Sequence, residues 1–154
     1  MGLFIWEQLP VPTPAMLEPH TAFLTPRVLE LVYTAYEMAP LARDLGDGGA
    51  PFVWDEERRA QIRAELDAFF FRRYGIERDD VDYIVETFPI VKSNDLARHG
   101  SYRTKEMILA FYDCMAAADA ASVPYESTIT PAPGLGPRHN GLSARAVAEN
   151  SDGS

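Results

Sequence analysis

This 154-residue chain has one cysteine, Cys114, so no intramolecular disulfide framework can hold it together, and the reading fits a reducing compartment. It has two lysines, Lys92 and Lys105, neither preceded two residues earlier by an acid, so the Asp/Glu-x-Lys pattern of metal-dependent nucleases is missing. It has three histidines, His20, His99 and His139, too scattered for zinc-ligand spacing. No Pro-Pro step occurs. Long apolar runs are lacking too. Leu3–Trp6 is too short for a membrane span or a signal core and carries no basic flank, so the expected location is the cytoplasm, away from any membrane. Basic charge is scarce overall. A formal net charge of −9 excludes adhesion to nucleic acid through bulk electrostatics and leaves a local basic patch as the only route.

With 47% hydrophobic and 24% charged residues, the composition suits one ordinary domain. Pro10, Pro12, Pro14 and Pro19 favour an extended lead-in over residues 1–19. Leu3–Trp6 reads either as a strand whose partners lie elsewhere or as an arm packing back on the domain.

Thr25 can cap a helix with Pro26 at its first position, and Val28, Leu29, Val32, Tyr33 and Tyr36 recur at helical spacing up to Pro40. Gly46 to Pro51 forms a turn-rich loop. Asp55 caps a second helix, with Glu56 and Glu57 in its first turn, a stripe of Ile62, Leu66, Phe69 and Phe70, and Gly75 as its stop. Trp54 is placed to staple the first turn. A third helix runs from Arg78 to Thr87, with Val81, Ile84, Val85 and Phe88 inward and Pro89 ending it. A fourth spans Thr104–Ala121 with Met107, Ile108, Phe111 and Met115 inward and Cys114 at the core or its boundary. The expected fold is therefore mainly α: a small bundle of about four helices over residues 20–121. A short N-terminal strand or extended arm precedes it, and a disordered tail over 122–154, rich in Ser, Pro, Thr, Gly and Ala, follows.

One segment escapes the acidic trend. Between Leu96 and Lys105 stand Arg98, His99, Ser101, Tyr102, Arg103, Thr104 and Lys105, with no carboxylate after Asp95. A helix beginning there offers free backbone N–H groups beside guanidinium and ammonium donors, a combination that binds phosphate. Arg98, Tyr102, Arg103, Thr104 and Lys105 are thus candidate DNA contacts. The other reading has Arg103 paired with Glu106 or Asp113, fixing the loop. Arg72, Arg73 and Arg78 are diluted by Glu77, Asp79 and Asp80 into a solvated surface. The acids Asp79, Asp80, Asp82 and Glu86 suit the opening and outer face of a helix better than paired acid–base catalysis.

Certain pieces occur together in a telling order: Phe4-Ile5-Trp6-Glu7-Gln8-Leu9-Pro10-Val11-Pro12, Trp54-Asp55-Glu56-Glu57-Arg58-Arg59, Glu65-Leu66-Asp67, Tyr74-Gly75-Ile76, Thr87-Phe88-Pro89 and Gly100-Ser101-Tyr102-Arg103-Thr104-Lys105. From about Phe4 to Met115 the chain resembles the C-terminal region of large single-chain bacterial DNA adenine methyltransferases of restriction–modification and phage-defence systems. The resemblance implies that residues 1–19 close a target-recognition region and that the helical part follows it. It implies a parent enzyme that flips adenine from the duplex and methylates it with S-adenosylmethionine. Cofactor binding needs a glycine-rich strand-to-helix turn, but the Gly-x-Gly at Gly134-Leu135-Gly136 stands in the tail and reads as a flexible loop. Methylation of adenine also needs an Asn/Asp-Pro-Pro-aromatic loop, so neither catalysis nor cofactor is expected in this chain. The expectation is a truncated or split piece of the parent, gripping duplex DNA or bracing the recognition region beside a methyltransferase catalytic domain or subunit. The alternative is a stand-alone acidic helical interaction module.

Overall fold

The computed structural model describes residues 12–140. Seven α-helices follow in order: α1 Pro14–Leu17, α2 Thr21–Val32, α3 Ala39–Asp44, α4 Glu56–Arg73, α5 Arg78–Glu86, α6 Pro89–His99 and α7 Arg103–Ala120. Short 3₁₀ turns at Glu18–His20 and Tyr36–Met38 lead into α2 and α3. The architecture is mainly helical, and among the described residues no helix is long and apolar enough to cross a membrane.

Helix α4 has its ends set as the sequence specifies. The Asp55 carboxylate accepts from the Arg58 N–H at 3.1 Å, and Arg72 and Arg73 lie in the last turn, where the helix dipole favours cations. Gly75 then takes a left-handed φ of +68°, a conformation costly to residues with a Cβ. Helix α7 lies along α4 as the central pair, with α5 and α6 against α7 and α2 against α4. Their shared core includes Ile62, Ala68, Phe69, Val81, Val85, Ile108, Phe111 and Met115. Burying each large apolar side chain contributes roughly 1.5–3 kcal/mol. A second cluster of Leu29, Tyr33, Ala42 and Phe52 packs where α2, α3 and the following loop meet.

Seven helices stand among the described residues where about four were expected, and misassigned prolines account for two of the additional ones. Pro89, read as a terminator, instead starts α6, since proline at the first turn gives up an N–H that the helix leaves unbonded anyway. Pro40 likewise falls in the first turn of α3 rather than ending α2. Helix α2 begins at Thr21, not Thr25, and holds Pro26 inside; it stops at Val32. The packing of Phe23 and Leu24 on the core outweighs the local preference at Pro26. Val28, Val32 and Tyr36, expected inward, are exposed, while Arg27 and Glu30 are buried. Phe88 is also exposed. Residues 14–19, read as extended, lie in α1 and the 3₁₀ turn Glu18–His20. The strand-or-arm reading of Leu3–Trp6 lies outside the described residues.

Of the tail read over residues 122–154, residues 122–140 are not disordered but return across the helices, and 141–154 lie outside the described residues. The Tyr125 hydroxyl donates to Glu65 Oε1 at 2.7 Å, and Ile129 is buried in the main core. Further on, the Val53 N–H donates to the Pro137 carbonyl at 2.8 Å, the His139 N–H donates to that of Pro51 at 2.9 Å, and Phe52 and Arg138 form an antiparallel bridge. Two buried ion pairs hold this return. Arg27 Nε meets Glu65 Oε2 at 2.7 Å, and Arg58 pairs with Glu30. Arg58 also donates to the carbonyls of Pro131 at 2.7 Å and Ala132 at 3.2 Å, while Glu30 Oε2 accepts from the Gly134 N–H at 2.7 Å. Gly134-Leu135-Gly136 is therefore fixed over α2. A Cβ on Gly134 would come within 2.8 Å of Pro26 Cβ, so the missing side chain allows the close approach to α2.

Candidate nucleic-acid interface at the start of the last helix

Helix α6 ends at Gly100, whose φ of +75° reverses the chain and whose N–H donates to the Leu96 carbonyl. Ser101 and Tyr102 then lead directly into α7. This turn brings all five candidate residues to one end of the bundle, in differing environments.

Tyr102 is buried, and its hydroxyl donates to the Val85 carbonyl at 2.8 Å, tying the start of α7 to the end of α5. Burial pushes the phenol above its ordinary range, with the charges of Asp95 and Glu86 adding to the effect. The Thr104 N–H, expected to be free for phosphate, donates to Asp95 Oδ2 at 2.6 Å. Asp95, on α6, thus supplies the carboxylate that caps α7.

Arg103 forms a two-pronged pair with Glu57 in the first turn of α4. The expected partners are engaged elsewhere: Glu106 accepts from Ser101 Oγ at 3.1 Å, and Asp113 takes Arg78 Nε at 2.6 Å. Lys105 Nζ lies 2.9 Å from Asp82 Oδ1 and 3.0 Å from Glu86 Oε2. Hydrogen bonds to these two carboxylates raise the ammonium pKa, and the bonds from Lys92 and Lys105 lower that of Glu86. Arg98 alone of the candidate cations makes no ion pair among the described residues. It lines a cleft of about 350 Å³ with Glu56, Glu57, Asp95, His99 and Arg103.

The patch that is purely basic along the chain is therefore mixed in space. Four carboxylates, those of Glu57, Asp82, Glu86 and Asp95, stand against Arg103, Lys105 and the α7 N-terminus. An incoming phosphate would have to displace them. Asp82 and Glu86 were legible as one acidic helix face, but Glu57 and Asp95 carry no local signal of their pairing. Elsewhere the arginines divide: Arg72 pairs with Asp119 and Arg78 with Asp113. Trp54 is exposed and stacks on the Arg59 guanidinium, 3.6 Å from the ring centroid, rather than stapling apolar groups. Cys114 is exposed. No group of three His, Cys, Asp or Glu side chains among the described residues could hold a metal ion.

No family model, curated protein or solved structure matches this chain.

Proposed function

We propose that the chain is a non-catalytic helical segment that braces the target-recognition region of a DNA adenine methyltransferase, as a truncated or split piece of such an enzyme, and that it does not grip DNA directly. The observation that supports bracing over gripping is the internal pairing of Arg103 with Glu57 and of Lys105 with Asp82 and Glu86. Cations compensated in this way neutralise few phosphates, so little counterion release is available to drive DNA binding. S-adenosylmethionine and the flipped adenine belong to the partner in this reading.

Exposed apolar side chains favour a protein partner. Tyr83 on α5 is 72% exposed, Phe88 51% and Ile90 75%, and Asp79 and Asp80 are also exposed on α5. The same residues would serve a stand-alone acidic interaction module, the second reading. Native size fractionation of host extract, with mass spectrometry of peptides in each fraction, separates the two. Peptides of this segment travelling with a methyltransferase catalytic domain, in one chain or in a complex, are the expected result. Peptides found only apart from any methyltransferase would overturn bracing and leave the stand-alone module.

A further inference from the structure

A second cleft lies at the opposite end of α4, away from the candidate DNA contacts. It encloses about 330 Å³ and is walled by Phe23, Phe69, Met115 and Tyr125, with His20, Arg72, Arg73 and Asp119 also lining it. Phe23 and Phe69 stack with centroids 4.6 Å apart, and His20 meets the Phe69 ring edge-on at 5.2 Å. The wall is apolar and pre-formed, while the charged rim is predominantly basic. That contrasts with the chain's net charge of −9.

The two arginines differ. Arg73 is exposed and makes no ion pair among the described residues. Arg72 stands 5.0 Å from the Tyr112 ring centroid, which orients its guanidinium, and it pairs with Asp119. Asp119 is a poor resident anion. It lies in the last turn of α7, where the helix dipole opposes negative charge, and its side chain is 71% exposed. An anion brought in on an apolar body would meet both guanidinium groups and gain contact with the aromatic wall. The volume lies within the range of small-molecule pockets.

We propose that this cleft binds a small aromatic anion, an aryl ring bearing a phosphate or carboxylate. The ring packs against Phe23, Phe69 and Met115, and the anionic head takes Arg73 together with Arg72, displacing Asp119. The site is independent of the bracing role, since it shares no residue with the α7 N-terminal cluster.

Titration of ¹⁵N-labelled protein with phenyl phosphate, benzoate and inorganic phosphate, followed by amide chemical shifts, tests this. Saturable shifts are expected at residues lining the cleft with either aryl anion below about 10 mM, and much weaker ones with inorganic phosphate. Whichever aryl anion binds more tightly identifies the preferred head group. Arg73→Ala is expected to weaken binding about fivefold or more, and Asp119→Asn to strengthen it by removing the competitor. Both positions are exposed, and unchanged amide spectra of the free variants establish that they fold. Absence of saturable shifts overturns the proposal. So does binding that Arg73→Ala leaves unmoved, that Asp119→Asn weakens, or that inorganic phosphate reproduces.

Discussion

Glu30 and Arg58 form a buried ion pair across 28 residues of chain, and together they bind the backbone of residues 131–134 as well as each other. The pair joins α2 to α4 and holds the returning segment to both. Removing one partner would leave a buried charge without compensation. Arg58→Ala should cost about 3–5 kcal/mol, a large part of the stability of a small domain. Urea denaturation measures it. Joint replacement of Glu30 and Arg58 by apolar residues of similar volume should cost less than Arg58→Ala alone, because no unpaired charge remains.

Gly136 offers a smaller perturbation at the same place. A Cβ there would clash with the Glu30 carboxylate and stand 2.8 Å from Arg58 Nε. Gly136→Ala should destabilise the domain by about 1–3 kcal/mol. It should also speed limited proteolysis within residues 122–140 at protease concentrations that spare the helices. Unchanged cleavage would separate the ion pair from the anchoring of the segment.

Alkaline titration reports on Tyr125. Burial, followed by its hydrogen bond to Glu65, pushes this phenol above its ordinary value of 10.0. The folded state therefore holds the proton more tightly than the unfolded chain. That contribution is complete below about pH 10 and is lost as pH rises beyond it. An ultraviolet phenolate titration should show a last ionising phase from Tyr125, beyond that of Tyr102, whose phenol burial also raises. Tyr125→Phe should abolish that late phase and flatten the alkaline loss of stability.

Acid acts on the far end of the segment. The hydrogen bond from Arg138, opposed by burial, leaves the Asp47 carboxyl below its ordinary 3.8. Its stabilising effect is present above about pH 4 and is lost as pH falls through the depressed folded value. Amide exchange around residues 137–139 should accelerate in that window, and Asp47→Asn should remove the pH dependence.

At the α7 N-terminus the bracing reading predicts little response. Arg103 and Glu57 are partly exposed, so Arg103→Ala with Lys105→Ala should cost no more than about 1 kcal/mol per pair. Fluorescence anisotropy at low salt should detect no duplex-DNA affinity for the double variant to remove. Measurable binding with steep salt dependence, lost in the variant, would restore direct gripping.

Much of the helical skeleton was legible because its signals are local. Asp55 before α4, Gly75 after it, and the spacing of Ile62 and Phe69 or of Ile108, Phe111 and Met115 each act within a few residues. The prolines were misread because one proline can end a helix or begin the next, and only the surrounding packing selects between them. Helix α6 was lost for that reason, and with it the Asp95 cap on Thr104. Residues 122–140 were misread because low apolar content resembles disorder when the charged partners, Glu30, Arg58, Glu65 and Asp47, stand far upstream.

By itself the sequence determined the helical class, the ends of α4, the extent of α7 and its inward side chains, through capping, dipole and periodicity effects that need no distant contact. Tertiary structure alone decided which charges meet. A buried guanidinium or carboxylate is tolerable only beside its counter-charge, and the buried pairs Arg27–Glu65 and Arg58–Glu30 span 38 and 28 residues, while the partly exposed pair Arg103–Glu57 spans 46. Those distances in sequence turned an apparent basic patch into a neutralised joint and an apparent tail into the outer wall of the domain.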